Sequence, residues 1–159
     1  MCYVQSIILA GDVIMANTDC LKQMMTTYHQ VGGNLVAVED ISREETDRYG
    51  ILDVVDDDGT IAKAKGLVEK PNPADAPSTL SIIGRYILQP EIMMYLNRQE
   101  KGAGGEIQLT DAMARSIGEI PFHGQRFEGT RYDCGNQLGF LEANIAFSLD
   151  RGNMRDGVE

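Results

Sequence analysis

The sequence has little of what marks a secreted, membrane-bound or nucleic-acid-binding protein. Its three cysteines are odd in number and lack C-x-x-C spacing, so neither a disulfide framework nor a zinc site is predicted. No stretch approaches about 18 consecutive apolar residues, and the N-terminus lacks the charged and apolar segments of a signal peptide. We therefore expect a protein of the reducing cytoplasm, with no route to the membrane.

Basic residues are also scarce. The 14 Lys and Arg residues are outnumbered by 24 Asp and Glu residues, which gives a net charge of −10. Nucleic acids and anionic membranes bind basic surfaces, so neither is an expected partner. Phosphorylated small molecules remain possible ligands, because a few local Lys or Arg side chains and a metal ion can hold them.

The chain has enough apolar residues to form one hydrophobic core. The chain has 159 residues, of which 43% are hydrophobic and 24% are charged. Its length suits one domain, which we assign to residues 1–159. No internal repeat or low-complexity segment divides it.

The hydrophobic pattern predicts an α/β fold with a mixed sheet. Apolar runs at residues 6–10 and 35–38 predict two buried strands, and the helical spacing over residues 19–31 predicts a helix between them. This βαβ order predicts a parallel pair. Residues 49–55 and 61–68 flank an acidic turn with a glycine and predict an antiparallel hairpin.

The rest of the chain alternates in the same way. A proline-rich surface loop is expected at residues 71–78 and a flexible connection at 101–105. Further strands are predicted at residues 80–87 and 122–127, and helices from Pro90, over 109–117 and over 139–149. A doubly wound domain normally has more strands before such a start, so we expect an N-terminal part of the domain to be missing from this chain.

Two aspartates could hold a hard cation. Asp12 follows the first apolar run, and Asp133 lies in the segment Arg131-Tyr132-Asp133-Cys134-Gly135. Magnesium is commonly held by one or two carboxylates while substrate phosphates fill the other positions. The alternatives are structural: a loop or capping Asp at position 12, and a turn acid paired with Arg131 at position 133.

A second polar group follows the strand at 61–68. Glu69 can accept hydrogen bonds from sugar hydroxyls, and Lys70 can neutralise a phosphate. Adjacent residues on a strand are expected to point to opposite sides of the pleat. The alternative is a solvated charge pair before a loop.

Glycines lie near these polar groups. Gly50, after Tyr49, could let a sugar ring approach the backbone, or it could mark a β-bulge. Residues 104–111 combine glycines with a helix start, where Thr110 and Asp111 could either cap the helix or bind substrate.

Taken together, these motifs resemble the bacterial UTP–glucose-1-phosphate uridylyltransferases, also called UDP-glucose pyrophosphorylases. The resemblance extends from about residue 7 to residue 149, and the string Gly-Glu-Ile-Gln-Leu-Thr-Asp-Ala with Asp-Cys-Gly is its most specific part. The matching segments are residues 9–14, 49–50, 66–71, 76–78, 83–88, 102–112 and 133–135.

The resemblance implies a Rossmann-like mixed-sheet nucleotidyltransferase fold and a reaction. UTP and glucose 1-phosphate would give UDP-glucose and pyrophosphate, with Mg²⁺ as cofactor, in a homo-oligomer. Asp12 and Asp133 would hold the metal. Glu69 would bind sugar hydroxyls, and Lys70 would contact the phosphate and act as the catalytic side chain. Tyr49, Gly50 and Gly84 would line the glucosyl pocket.

The chain departs from the family in two ways. It lacks the glycine-rich Gly-x-Gly-Thr-Arg-x-x-Pro loop that cradles the triphosphate, so it is expected to be the C-terminal portion of the enzyme. It also has Ala10-Gly11-Asp12 where the family has Leu-Pro-Asp, which is closer to the thymidylyl and adenylyl relatives. The alternatives are therefore a relative of that kind acting on glucose 1-phosphate, or a non-catalytic sugar-nucleotide-binding or dimerisation fragment.

Overall fold

The computed structural model describes residues 5–98 and 105–158 of the chain. A short 3-10 helix (Arg43–Arg48) accompanies the longer elements. The helices are α1 (Cys20–Val31), α2 (Glu91–Asn97), α3 (Leu109–Ser116), α4 (Gln137–Asp150) and α5 (Gly152–Val158). The strands are β1 (Ser6–Leu9), β2 (Val13–Met15), β3 (Asn34–Asp40), β4 (Gly50–Asp57), β5 (Ile61–Glu69), β6 (Leu80–Leu88), β7 (Phe122–Arg126) and β8 (Thr130–Tyr132).

The main sheet is mixed, as predicted. Its order is β1-β6-β3-β7-β5-β4, with β3 and β7 parallel and the other neighbours antiparallel. The predicted parallel pair of the first two apolar runs is wrong, because β6 lies between β1 and β3 and pairs with both. Strand β6 occupies the interior position that was predicted for β1, and its nine residues are largely buried on both faces.

The first strand is not buried as predicted. Ile7 and Leu9 are 49% and 58% exposed, and β1 has β6 as its one neighbour in the described sheet. An edge strand is covered only where another element packs on its face, and the sequence pattern of an apolar run does not reveal whether that element exists. The apolar run therefore predicted the strand correctly and its burial wrongly.

Helices cover both faces of the main sheet. In β3, Leu35 and Ala37 pack in a cluster with Met24 of α1, whereas Val36 and Val38 belong to a second cluster. That second cluster includes Ile92 of α2 and Met113 of α3. Alternate residues of one strand thus serve two cores, which explains why residues 35–38 are apolar without a break.

A second, two-stranded sheet was not predicted. Strands β2 and β8 pair antiparallel, and Val13 is the partner of Tyr132. Asp12 precedes Val13 and Asp133 follows Tyr132, so this register brings the two aspartates to the same end of the ribbon. Each strand has only three residues, which is too short for a hydrophobic period to be recognised.

The other predicted elements are confirmed within a few residues. Helix α1, the β4–β5 hairpin, β6, β7, α2, α3 and α4 all form where the pattern places them. Helix α5 was not predicted. Of the expected connection at 101–105, residues 101–104 lie outside the described residues. Among the helices of residues 5–98 and 105–158, none is both long enough and apolar enough to cross a bilayer.

One arginine ties the hairpin to the centre of the sheet. Arg126, at the end of β7, donates to both carboxylate oxygens of Asp40 at 2.6 and 3.2 Å. It also donates to both oxygens of Asp57 at 2.9 and 3.0 Å. The Arg126 guanidinium and the Gly59 amide hold the pKa of Asp57 below its ordinary value.

Arg126→Met should lower the free energy of unfolding by about 1 kcal/mol at neutral pH, the upper range for partly exposed ion pairs. Because the pKa of Asp57 is lowered by folding, its contribution exists above the unfolded-state pKa and is lost as pH falls through the folded-state pKa. Urea unfolding of the variant and the original protein at two pH values, one neutral and one well below the ordinary carboxyl pKa of about 4, measures how the stability difference changes with pH.

Lys22→Met, on the exposed face of α1, is the control for losing one cation. It should leave stability nearly unchanged at both pH values. If Arg126→Met lowers the free energy of unfolding by the same amount at both pH values, the ion pairs do not cause the loss, because the carboxylates are protonated at the lower pH.

Candidate active site

A cavity of about 650 Å³ opens beside the two-stranded ribbon. It is bounded by the ends of several strands, the start of α3 and the segment after β8. The seven site residues that the sequence singled out all line it: Asp12, Tyr49, Gly50, Glu69, Lys70, Gly84 and Asp133. Their roles stay predictions, but their assembly into one cavity is a property of the fold.

Arg131 joins the two aspartates. Its Nε donates to Asp12 Oδ2 at 2.9 Å, and its terminal nitrogen lies 4.0 Å from Asp133 Oδ2. The Arg131 side chain is only 8% exposed, and its guanidinium lies 5.1 Å from the centre of the Tyr49 ring. Burial disfavours its charge, but hydrogen bonding to Tyr49 and Asp12 raises the pKa of Arg131. The two carboxylates therefore converge on a permanent positive charge.

Asp133 has further partners. Arg48 lies 3.3 Å from its Oδ2, and the Tyr49 hydroxyl donates to the same oxygen at 3.2 Å. The Gly135 amide donates to Oδ1 at 2.9 Å. Burial raises its pKa, but the Gly135 amide, the Arg131 charge and the Tyr49 hydroxyl outweigh burial and leave the pKa of Asp133 below its ordinary value.

This donor set fits a magnesium ion bound together with a phosphorylated substrate. Among residues 5–98 and 105–158, no cluster of three or more His, Cys, Asp or Glu side chains could hold a metal by itself. Magnesium does not need such a cluster, since it takes one or two carboxylates and completes its shell with phosphate oxygens and water. The convergence of Asp12 and Asp133 on a cation shows that the ribbon end is a place where positive charge is stabilised.

Glu69 is held by helix α3. The Thr110 hydroxyl donates to Glu69 Oε2 at 2.6 Å. Of the two alternatives for Thr110, capping of α3 is not seen: Gln108 is the N-cap residue and makes no side-chain capping bond, and the Thr110 hydroxyl donates to Glu69. One carboxylate oxygen of Glu69 is thereby fixed in the cavity.

Gly50 provides the space for this pair. It is the register partner of Glu69, and a Cβ at Gly50 would lie 3.2 Å from Glu69 Oε2 and 3.5 Å from Thr110. The register shifts in β4 occur between Asp53 and Asp56, so the bulge considered for Gly50 is wrong.

The prediction that Glu69 and Lys70 point to opposite sides of the pleat is wrong. Strand β5 ends at Glu69, and Lys70 has a φ of 46°, the left-handed region that non-glycine residues rarely adopt. Its amide still donates to the Tyr49 carbonyl at 3.0 Å. Because the chain turns at this residue, Glu69 and Lys70 line the same cavity instead of pointing to opposite sides. Backbone strain of this kind is common at binding sites.

Gly84 lets two segments approach. Its φ is 76°, and a Cβ there would lie 2.6 Å from the Cβ of Ala10. The Ala10 amide donates to the Gly84 carbonyl at 2.8 Å. Any larger residue at position 84 would push away the segment that leads to Asp12.

The sequence analysis did not identify the roles of Arg48, Arg131 and Thr110 in the cavity. Arg48, which pairs with Asp133, was not singled out at all. Arg131 was considered only as a partner of Asp133, and Thr110 only as a cap or a direct substrate ligand. For Arg131, its place two residues before Asp133 in a chain with few basic residues was a usable signal. No signal in the spacing identified Glu69 as the partner of Thr110, because the two lie 41 residues apart.

Comparison with known proteins agrees with this arrangement. The family model described as nucleotidyl transferase matches residues 3–148. The chain belongs to the nucleotidyl transferase family. The resemblance that the motifs carried and the mixed α/β fold are both confirmed.

Several similar proteins have more specific names. The UTP–glucose-1-phosphate uridylyltransferase of Komagataeibacter xylinus is 54% identical over 133 residues, which are 84% of this chain and 47% of that protein. A solved UDP-glucose pyrophosphorylase in complex with UDP-glucose superposes with a TM-score of 0.82 at 37% identity, covering 88% of this chain and 54% of that one.

A UTP-bound UDP-glucose pyrophosphorylase from Acinetobacter baumannii gives a TM-score of 0.80 at 31% identity. It is matched over 92% of this chain and 51% of its own length. This nucleotidyl transferase chain therefore spans about half the length of the relatives it matches.

The left-handed backbone at Lys70 can be separated from its charge. Lys70→Gly should be more stable than Lys70→Ala by about 1 kcal/mol, because glycine adopts a positive φ without the Cβ clash. Chemical denaturation of the two variants measures this difference. Both lose the ammonium group, so both should lose the same fraction of any nucleotidyl transfer. If Lys70→Ala is as stable as Lys70→Gly, the backbone at position 70 is not strained by its positive φ.

Proposed function

We propose that the protein containing this chain transfers a uridylyl group from UTP to glucose 1-phosphate, giving UDP-glucose and pyrophosphate. The observation that carries the proposal is the convergence of Asp12 and Asp133 at one end of the β2–β8 ribbon, in the cavity that Glu69 and Lys70 also line. The names of the similar proteins supply the substrates. A metal site beside a hydroxyl-binding carboxylate and an ammonium group suits a sugar phosphate and a nucleotide together.

The proposed reaction is an in-line displacement. A phosphate oxygen of glucose 1-phosphate attacks the α-phosphorus of UTP, and pyrophosphate leaves. Such a transfer needs positioning and charge neutralisation more than proton transfer, so no general base is required. Lys70 would neutralise the phosphate during the transfer, and Glu69, held by Thr110, would accept hydrogen bonds from sugar hydroxyls.

Tyr49, Gly50 and Gly84 would form the walls of the glucosyl pocket. Tyr49 is fixed on one side by its hydroxyl bond to Asp133 and by the guanidinium of Arg131 over its ring. Gly50 and Gly84 leave space that side chains would fill. Gly50 is the better direct contact, because it adjoins Glu69.

Mg²⁺ would be the cofactor, held by Asp12 and Asp133. When bound, it would supply charge neutralisation for the phosphates in the transfer. The two aspartates would orient it, and Arg131 would hold their carboxylates at one end of the ribbon.

We also infer that the enzyme is cytoplasmic, forms a homo-oligomer and binds no nucleic acid. Residues 1–159 would form part of one nucleotidyltransferase domain, and the glycine-rich triphosphate loop would be supplied by another part of the whole protein. The specificity for uridine over thymidine or adenosine would come from that part.

Asp133→Ala should lower turnover by more than about 100-fold, beyond the roughly 10–100-fold typical of residues that only support a metal ligand. The assay follows UDP-glucose formation from UTP, glucose 1-phosphate and Mg²⁺ by the whole protein. Asp75→Ala, in the exposed loop after β5, is the control and should keep full activity. Near-normal rates for Asp133→Ala would refute the metal assignment.

The non-catalytic alternative is tested on the chain of 159 residues itself. Calorimetric titration with UDP-glucose and Mg²⁺, beside a turnover assay, distinguishes binding from catalysis. Binding without turnover would assign the chain a binding role and leave catalysis to the whole protein. Failure of the whole protein to turn over UTP while it uses another nucleoside triphosphate would favour the thymidylyl or adenylyl alternative.

A further inference from the structure

We propose that Arg85 is a positioning residue for Asp12 and thereby sets the affinity of the site for a divalent cation. The inference rests on the proposed function, because that function makes Asp12 a metal ligand. Arg85 is in β6 and is not among the residues that line the cavity. It would act on the metal through the backbone of another segment, without touching metal or substrate.

The Arg85 guanidinium binds three backbone carbonyls. One terminal nitrogen donates to the carbonyls of Ala10 and Gly84, both at 3.2 Å, and the other donates to the carbonyl of Asp12. The planar fork of arginine has donors in fixed directions, so it can hold carbonyls that belong to different segments. Two of the three carbonyls belong to the segment that carries Asp12.

That segment has few other restraints. Residues 10–12 connect the edge strand β1 to the ribbon strand β2, and Gly11 is exposed at the bend. The last ladder pair of β1 is Leu9 with Arg85, and the Ala10 amide adds one bond to the Gly84 carbonyl at 2.8 Å. Beyond that point no sheet partner is described for the backbone until Val13 pairs with Tyr132. Arg85 spans this gap.

Asp12 is thus held at two points by two different arginines. Arg131 binds its carboxylate, while Arg85 binds its backbone carbonyl. Changing Arg131 would alter the charge that the metal experiences directly. Changing Arg85 leaves the carboxylate and its ion pair with Arg131 chemically intact. The loss of the positive charge of Arg85 would by itself strengthen cation binding, so weaker binding in the variant reports on the lost restraint on Asp12.

The expected loss of metal affinity can be taken from residues that orient metal ligands in other proteins. Residues that orient a metal ligand typically account for 10–100-fold in metal affinity. Loss of the two bonds to the segment that carries Asp12 should therefore weaken metal binding within that range. Binding of the sugar phosphate, which by the proposed function depends on Glu69 and Lys70 at the end of β5, should change little.

Arg85→Met is the test variant, and Arg43→Met is its matched control. Arg43 also donates from one terminal nitrogen to two backbone carbonyls, those of Pro73 at 3.1 Å and Ala76 at 3.0 Å. Its bonds hold the loop after β5, and it does not line the cavity. Both variants lose one cation and a set of bonds to carbonyls, but only one of them frees Asp12.

The measurement is Mn²⁺ binding by electron paramagnetic resonance of the free ion, on the whole protein with UDP-glucose bound. The expected result is a Kd for Mn²⁺ that rises about 10–100-fold in Arg85→Met and stays unchanged in Arg43→Met. In turnover assays, high Mg²⁺ should restore most of the Arg85→Met rate, with the KM for glucose 1-phosphate near that of the original protein. A loss of kcat that Mg²⁺ does not restore would overturn the inference.

Circular dichroism and urea unfolding establish that each variant is folded. If Arg85→Met does not fold, Arg85→Lys replaces it: the single ammonium keeps the charge but cannot bind all three carbonyls, so a smaller rise in the Mn²⁺ Kd is expected. A folded Arg85 variant that binds Mn²⁺ as the original protein does would overturn the inference.

The failure of this inference can be told from failure of the proposed function. If the original protein turns over UTP and glucose 1-phosphate while the Arg85 variant binds Mn²⁺ normally, only the role of Arg85 is wrong. If the original protein shows no turnover but Arg85→Met still weakens Mn²⁺ binding, the role of Arg85 stands and the reaction is wrong. Absence of Mn²⁺ binding by the original protein would overturn both the metal assignment and the role of Arg85.

Discussion

The site depends on the pairing of two three-residue strands. Because Val13 pairs with Tyr132, the aspartates on either side of this pair are forced to the same end of the ribbon. Two carboxylates at close range repel one another, and the repulsion is stronger where water is partly excluded. Arg131 offsets that repulsion, and its own buried charge is in turn stabilised by the carboxylates and by the Tyr49 ring. The ribbon and the arginine therefore need one another: the ribbon sets the distance, and the arginine makes the distance energetically acceptable.

The main sheet supplies the other half of the cavity by a different means. Glu69 is the last residue of β5, so its direction is set by the ladder with Gly50. At two positions the chain uses a positive φ, which regular strands do not have. One is Lys70, directly after β5, and the other is Gly84, at the register shift within β6, where the glycine admits Ala10. Helix α3 then fixes Glu69 through Thr110. The position of each polar group thus comes from a rigid element next to it, and the local strain is offset by the packing of that element.

The sequence predicted the long, periodic elements and the individual polar residues, but it did not predict how they come together. Helix α1 and the β4–β5 hairpin carry strong local signals, in twelve residues of helical spacing and in an acidic turn between two apolar runs. By contrast, the insertion of β6 between β1 and β3 is decided by tertiary packing, which no local pattern encodes. Strands β2 and β8 are too short to show a period. Asp12 and Asp133 were therefore found one by one from motif chemistry, and their register, like the Thr110–Glu69 bond, could be seen only in the folded chain. The extent of the domain and the roles of the site residues stay predictions.

The charge of the whole chain and the charge of the cavity act over different distances. A net charge of −10 repels a nucleoside triphosphate at long range, so steering by the overall field does not help binding. At physiological salt, however, that field is screened within about 8 Å. Inside the cavity, Asp12, Glu69 and Asp133 are matched by Arg48, Lys70 and Arg131, so among the described lining residues the formal charge is zero. A magnesium ion bound there would add two positive charges beside any phosphate in the cavity. An acidic protein can therefore bind a polyanion, provided that its few cations are placed within a Debye length of the phosphates and that a metal arrives with the substrate. Local placement of charge, rather than its total, decides what this cavity can hold.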